Sequence, residues 1–519
     1  VGTGGPLMIL LPTPRHLAAH DGALQLPDPL PVRGGGPGAR LLAERLGTAA
    51  GVSVITGDGI GVDFHRDGEL APEAYRLVVT SDGVTIHSGD DAGEGWAVQT
   101  LLQLLPPQVH GPGPMEPGDL VVPCLEVADE PAFAWRGSMI DVARHFLPFD
   151  GLLKHLEVMA AHKLNVLHLH LADDQGWRVP VAKYPRLTEE GAWRPGTLPG
   201  HQPPPDADDR DDFPQHDGRP HGGHYSVEEI GRLVARAAEL GITIVPEIDM
   251  PGHMEAAIAA YPALGACDHV SHPRTCFGVS HHVLALTEES VRFCFDVLDA
   301  VMELFPGSPI HIGGDECPSE EWFTHPASLS LMAEQGITTG AEAQAWFERR
   351  ICGHVLAAGR RPVAWDEVLE LGAPEGVTVM VWRDRQAIAE AAARGFDVIA
   401  APSQYTYLDY GQYEGPDQPL TIAGPTTLGD VAGFAGELRL DGPSQRHLLG
   451  GQFQLWTEYV RTWGRAENLL WPRGSALAQQ LWAGTAGDSG SLEGLGRHLQ
   501  RLTAMEVNWC REPTVTTSP

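Results

Sequence analysis

Eight short apolar runs punctuate the chain from Trp135 onward: WRGSMIDV from Trp135, NVLHLHL from Asn165, ITIVPEI from Ile242, PIHIGG from Pro309, RPVAW from Arg361, VTVMVW from Val377, DVIAAP from Asp397 and GQFQLW from Gly451. Longer runs lie between them, among them LLKHLEVMAAHK, VEEIGRLVARAAELG, ESVRFCFDVLDAVMEL and AEAQAWFERRICGHVLAAG, with apolar residues at the three-and-four spacing of a helix packed on a sheet. Eight strand–helix units predict a (β/α)8 TIM barrel. A chain of 519 residues accommodates that barrel and a second unit.

The second unit precedes the barrel. Residues 1–130 read as a small α+β domain with strand-like LMILLP, GVSVIT, YRLVVT and VTIHS, a turn at Ser81-Asp82-Gly83 and a helix from about Trp96 to Leu105. The Gly/Pro-rich stretch from His110 to Asp119 reads as a surface loop, and the boundary is expected near Ala128 to Pro131. Residues 131–510 are then expected to form the barrel and 511–519 a tail. Two long stretches interrupt the alternation, 188–224 and 405–449; loops of that length are typically lids or disordered. The Asp- and His-rich content of the first could suggest metal binding, but it reads better as a solvated loop.

Composition removes several function classes. With 35 basic against 68 acidic residues the net charge is −33, which disfavours nucleic acid as a partner. The lysines are Lys154, Lys163 and Lys183, two of them in or beside one helical run, which argues against Schiff-base chemistry. No run approaches the roughly 20 apolar residues of a membrane span, so a soluble protein without membrane partners is expected. The opening VGTGGPL lacks the pattern of a signal peptide, as in a cytoplasmic protein or an exported one already processed. Seven cysteines without a CxxC give no disulfide framework, although Cys267 and Cys276 lie close enough to pair in an oxidising compartment.

In such barrels chemistry sits at the C-terminal strand ends. In chain order these carry Asp141 and Arg144; His170, Asp173 and Asp174; Glu247, Asp249 and His253; Asp315 and Glu316; Trp365, Asp366 and Glu367; Trp382; Tyr407 and Asp409; and Trp456 and Glu458. An acidic, aromatic mouth with few cations suits a neutral polyhydroxylated ligand, whose C–H faces stack on indoles while carboxylates and an arginine hold its hydroxyls. Within HIGGDE (His311 to Glu316) the glycines would let the backbone approach a ligand, and the paired carboxyls should be raised in pKa by each other and by apolar walls.

HIGGDE, LADDQGWR (Leu171 to Arg178), MPGH (Met250 to His253), AWDE (Ala364 to Glu367), YLD (Tyr407 to Asp409) and QLWTE (Gln454 to Glu458) together resemble the β-N-acetylhexosaminidases of glycoside hydrolase family 20. The stretch from Glu73 to Leu105 is similar to the small α+β domain that precedes the barrel there. The resemblance implies retaining, substrate-assisted hydrolysis, with the substrate's 2-acetamido oxygen as nucleophile and neither metal nor cofactor. It implies Glu316 as general acid and base and Asp315 as the carboxylate that orients the acetamido N–H. By the same resemblance Arg144 and Glu458 hold sugar hydroxyls, and Trp365, Trp382 and Trp456 wall the sugar. Tyr407 donates to the acetamido oxygen, Asp409 lies near the 6-hydroxyl, and Asp173 and His253 support the acid. The implied partners are N-acetylhexosamine-containing oligosaccharides or glycans, chitin-derived ones included. The 188–224 insertion departs from the common family pattern, and a disaccharide-releasing relative would share the same motifs.

Two other classes are weighed against this. His168, His170, His253, His311 and Asp315 imitate the ligand set of a metal-dependent hydrolase barrel. A non-catalytic sugar-binding barrel is the other alternative, although both acids of the pair are present.

Overall fold

The computed structural model describes residues 10–113, 115–200, 216–267, 269–370, 372–415, 418–484 and 495–511. The first unit is a mixed seven-stranded sheet of β1 (His16–Gln25), β2 (Leu30–Arg33), β3 (Val54–Thr56), β4 (Val62–Arg66), β5 (Tyr75–Thr80), β6 (Gly83–Ser88) and β7 (Val121–Asp129), in the order β1-β7-β5-β6-β4-β2-β3. Strands β5 and β6 pair from Tyr75↔Ser88 to Thr80↔Gly83, so their alternating patterns face a common core across the tight turn. Helices α1 (Pro37–Ala50) and α2 (Asp91–Leu104) pack together. The Asp90 side chain caps α2 by accepting from Gly93 N at 2.7 Å, so the helix begins before the expected Trp96. Helix α2 is buried on nearly every side because the sheet lies on one face and the barrel on the other.

Two expectations in this unit are corrected. Leu10 and Leu11 of LMILLP are buried without forming a strand; the rest of that motif before Leu10 lies outside the described residues. The Gln103 amide supplies what a strand neighbour would, accepting from Leu11 N at 3.0 Å and donating to Leu11 O at 2.8 Å. The stretch after His110 is not a simple surface loop. Val109, His110 and Met115 are buried, Met115 N donates to Ala49 O at 2.8 Å, and the helix Leu495–Ala504 packs over the preceding turn.

The eight apolar runs form the eight barrel strands: β8 (Trp135–Asp141), β9 (Val166–His170), β10 (Thr243–Glu247), β11 (Pro309–His311), β12 (Arg361–Trp365), β13 (Thr378–Val381), β14 (Val398–Ala400) and β15 (Leu448–Leu455). All neighbours are parallel, and β15 closes on β8 from Gly450↔Trp135 to Leu455↔Ile140. Strands covered by helices outside and filled with side chains inside are buried on both faces, hence their continuous apolar character. The surrounding helices include α3 (Phe149–Ala161), α4 (Val227–Glu239), α5 (Glu288–Leu304) and α6 (Gly340–Ala357). Reciprocal capping boxes, Ser226 with Glu229 and Thr339 with Glu342, fix where α4 and α6 begin. Among the described residues no helix is long and apolar enough to cross a membrane.

The two units are joined by buried charge pairs. Glu73 binds Arg136 and accepts from Trp96 Nε1 at 2.9 Å, while Lys163 Nζ lies 2.9 Å from Asp129 Oδ2. Lys163 is thus consumed by the domain interface.

Candidate active site

The floor of the barrel mouth is built on Glu247, the last residue of β10, whose carboxylate is fully buried. Its Oε1 accepts from Trp365 Nε1 at 2.9 Å and lies 2.9 Å from His311 Nδ1. Its Oε2 lies 2.5 Å from His170 Nδ1 and 3.0 Å from His168 Nε2. Burial opposes ionisation here, yet the facing histidines hold Glu247 well below the usual carboxylate range. Burial pushes His168 down to about 4, whereas Glu247 and Asp173 overcome burial at His170 and lift it to about 10. The floor is therefore a carboxylate–imidazolium pair with both carboxylate oxygens engaged. This splits the imitated metal set, because His168, His170 and His311 surround Glu247 while His253 and Asp315 belong to another group.

From His170 the network climbs to the rim. His170 Nε2 lies 2.9 Å from Asp173 Oδ2, and the same oxygen lies 2.7 Å from Arg144 Nη2. Asp141 Oδ1 accepts from Ala143 N at 2.8 Å and Arg144 N at 3.1 Å, which sets the turn after β8 that presents the guanidinium. Arg144 lies over the Trp456 ring, 4.8 Å from its centroid. Burial alone would lower its pKa; Asp173, Asp141 and Glu458 reverse that and raise it. Glu458 itself is raised by burial, partly offset by Arg144.

His253 links Asp173 to Glu316. Its Nδ1 lies 3.3 Å from Asp173 Oδ1 and 3.3 Å from Asp174 Oδ2, and its Nε2 lies 3.7 Å from Glu316 Oε2. These carboxylates outweigh burial and raise His253 well above the ordinary imidazole value. Contact with His253 in turn lowers Glu316, whose side chain is 49% exposed. The expectation of a raised pKa at Glu316 is therefore corrected: a cation, not an apolar wall, is its nearest influence. The raised member of the pair is Asp315, through burial and the neighbouring Asp249.

The glycines before the pair also act differently from expectation. Gly313 and Gly314 hold φ of 65° and 96°, and a Cβ on Gly313 would stand 1.9 Å from Asp249 Oδ1. The backbone needs that space to approach Asp249, whose Oδ1 accepts from Gly314 N at 2.9 Å. Gln344 Nε2, from α6, donates to Gly314 O at 2.8 Å and to Glu348 Oε1 at 2.8 Å. Asp315 Oδ1 is a buried acceptor without a hydrogen-bond partner among the described residues.

Aromatic residues close the ring of contacts. Trp456 lies 5.9 Å from Trp365 and 6.1 Å from Tyr407, centroid to centroid. Burial and then Asp315 and Asp409 raise the Tyr407 phenol. Trp382 Nε1 donates to the Glu367 carboxylate at 3.2 and 3.3 Å. Asp409 is buried and raised by that burial and by Glu458. Trp365, Trp382 and Trp456 thus share one apolar cluster, and Arg144, Asp173, His253 and Glu316 one polar chain. Sequence reasoning did not single out Gln344 and Glu348, which on α6 read only as the polar part of an amphipathic helix. It gave Glu247 and Asp249 as strand-end acids without a role.

The two long loops meet beside Glu458, where Leu198, Pro199, Leu420, Tyr459 and Arg461 line a cavity of about 230 Å³. Residues 201–215, which hold most of the Asp-rich stretch considered for metal binding, lie outside the described residues, as do 512–519 of the tail.

Comparison with known proteins gives a consistent picture. Residues 133–485 match the family model "Glycosyl hydrolase family 20, catalytic domain", and residues 8–130 match "Glycosyl hydrolase family 20, domain 2". The chain is 35% identical over 91% of its length to a beta-hexosaminidase of Porphyromonas gingivalis, covering 60% of that relative. It is 37% identical over 78% of its length to a beta-hexosaminidase of Vibrio furnissii, covering 64% of it. The chain therefore spans less than two thirds of the length of these two relatives. A GH20 exo beta-N-acetylglucosaminidase from Vibrio harveyi, solved in complex with N-acetylglucosamine, superimposes with a TM-score of 0.84 at 30% identity, over 97% of this chain and 78% of that one. With one family model matched over residues 133–485 and the other over residues 8–130, this chain belongs to glycosyl hydrolase family 20.

Proposed function

We propose that this chain is an exo-acting β-N-acetylhexosaminidase that releases terminal β-linked N-acetylglucosamine or N-acetylgalactosamine from oligosaccharides or glycans by a retaining, substrate-assisted mechanism. The observation that carries this reading is the division of labour in the adjacent acids. Asp315 is turned inward with an unpartnered buried acceptor, whereas Glu316 stands half exposed beside a cation.

In this mechanism the acetamido oxygen attacks the anomeric carbon as the bond to the leaving oxygen breaks, and that oxygen takes its proton from Glu316. Asp315 Oδ1 accepts the acetamido N–H and, as the amide gains positive charge, stabilises it; Tyr407 steadies the acetamido oxygen. Water then attacks the anomeric carbon of the resulting oxazolinium and passes a proton to Glu316, and the bond from that carbon to the acetamido oxygen breaks, with net retention. Intramolecular attack gains from orientation, and a fixed carboxylate beside a developing cation stabilises the transition state more than the ground state. Arg144, Glu458 and Asp409 hold hydroxyls, while Trp365, Trp382 and Trp456 wall the ring. Asp173 and His253 position Glu316.

The test compares an aryl N-acetyl-β-glucosaminide with the matching aryl β-glucoside, and Glu316→Gln with the wild type. Only the acetamido sugar should be cleaved, and Glu316→Gln should lose about 10²–10⁴-fold on substrates with poor leaving groups. Cleavage of both sugars, or near-normal turnover of a natural oligosaccharide by the variant, overturns the reading.

A further inference from the structure

Outside the mouth, three residues distant in sequence bring their donor atoms together: Cys267, His282 and Glu321, whose thiol sulfur, imidazole nitrogen and carboxylate oxygen all lie within 4.8 Å of one another. His282 Nδ1 lies 2.8 Å from Glu321 Oε1. A thiol and a carboxylate bound to opposite nitrogens of one imidazole would stand farther apart than this. The two therefore converge on one edge of the ring, around a common point. Cys267 is a free thiol, so its pairing with Cys276 is not formed.

Backbone hydrogen bonds hold the three segments in register. Ala266 N donates to Val283 O at 3.0 Å and Ala285 N to Leu264 O at 2.7 Å, clamping the strand of chain before Cys267 against the one after His282. Glu321 is tied to the same ladder, since its Oε2 accepts from Val283 N at 3.3 Å and the adjacent Trp322 Nε1 donates to Leu284 O at 2.8 Å. His282 and Glu321 are 18% and 19% exposed, which leaves a path for a small ion.

We infer that Cys267, His282 and Glu321 form a binding site for a thiophilic divalent cation of the zinc class, with a fourth position open to water. One soft sulfur, one imidazole and one carboxylate match the donor preferences of zinc and exclude magnesium and calcium. A tetrahedral zinc holds its donors about 3.3–3.6 Å apart, so closure needs shifts on the order of one ångström. Binding expels the thiol proton and any proton on the imidazole to solvent and leaves thiolate, neutral imidazole and carboxylate as ligands.

The ion would brace the catalytic loops. Glu321 follows Glu316 by five residues in the sequence, and Leu284 N donates to Pro251 O at 3.1 Å, just ahead of His253. The site thus ties the segment that carries His253 to the one that carries Glu316, without touching either side chain.

The experiment titrates the demetallated, reduced protein with cadmium and with zinc. Cadmium alone should give a thiolate-to-metal charge-transfer band that saturates at one ion per chain and is displaced by zinc. Cys267→Ser should abolish the band, and His282→Asn and Glu321→Gln should each weaken binding by about 10-fold or more. Thermal melts of the metal-free variants check that each still folds, and zinc should raise the wild-type Tm but not that of Cys267→Ser. A band that survives Cys267→Ser, no saturable zinc binding in the wild type, or a Cys267–Cys276 disulfide found by peptide mapping of the native protein would overturn the assignment.

Discussion

His253 Nε2 stands 3.7 Å from Glu316 Oε2, and both residues hold left-handed backbone, with φ of 52° and 44°. Non-glycine residues in that region are uncommon and cost free energy, and here two of them meet across the candidate site. The geometry fixes a cation beside a half-exposed acid, and the cation lowers that acid.

Replacing the cation should move the pH profile in a definite direction. In His253→Asn the influence that favours ionised Glu316 is gone, so the Glu316 pKa rises. With an activated aryl leaving group, for which protonation of the leaving oxygen matters little, the rate depends on ionised Glu316 as base. Its acid limb should therefore shift to higher pH. An acid limb that stays in place would show that His253 does not tune Glu316.

Gly313→Ala tests the approach of the backbone to Asp249. The new Cβ would fall 1.9 Å from Asp249 Oδ1 on a residue at φ 65°, so either the Asp249 contact or the loop conformation must yield. A loss of about 2 kcal/mol or more in stability is expected, together with a large fall in kcat. At Gly314 the nearest atom is the end of the Glu348 side chain at 3.0 Å, which can move, although φ is also positive there. Gly314→Ala should therefore be the milder variant in thermal melts and turnover. Equal tolerance of both would dismiss the steric argument.

The barrel was legible because its strands are buried on both faces and therefore read as unbroken apolar runs. Strand β1 was not, since it is an edge strand paired with β7 alone and only Leu24 along it is buried. No periodic signal survives such exposure. The site acids were legible because they end strands, but the direction of the Glu316 shift was not, because it depends on His253 arriving from another loop. For the same reason the convergence of Cys267, His282 and Glu321 is invisible in sequence: two points of one long connection and a distant 3-10 turn bring it about, and no spacing encodes it.

Acid should destabilise the protein through its buried histidines. Burial pushes His110 and His155 down to about 3 and His162 down to about 4, so the folded state holds them neutral. The unfolded chain binds protons at these positions near pH 6.5. Their contribution to stability is complete above that value and is lost progressively as pH falls from 6.5 toward 3–4, by about 1.4 kcal/mol per pH unit for each histidine. His155 packs against Trp463 and Trp471, and Ser138 Oγ lies 3.0 Å from its Nε2. His155→Phe should make denaturant-derived stability fall less steeply between pH 6 and 4 by about that amount, and an unchanged slope would remove His155 from the account.

The last test concerns the seam between the two units. Lys163 is 1% exposed, and its Nζ lies 2.9 Å from Asp129 Oδ2 and 2.8 Å from Tyr75 OH, while 4.3 Å from the Trp482 ring centroid. Burial lowers the lysine pKa, and Asp129 counters that shift. Lys163→Met keeps the volume but removes the cation beside the buried Asp129 side chain, at a cost of about 3–5 kcal/mol. Adding Asp129→Asn removes the carboxyl left without its cation while keeping an acceptor for Tyr75 and should restore a substantial part of the loss. The pair is far from the strand ends, so turnover at low temperature should change little in either variant. A single variant that melts like the wild type, or a double variant no more stable than the single, would mean that the seam is held by packing around α2 and not by this pair.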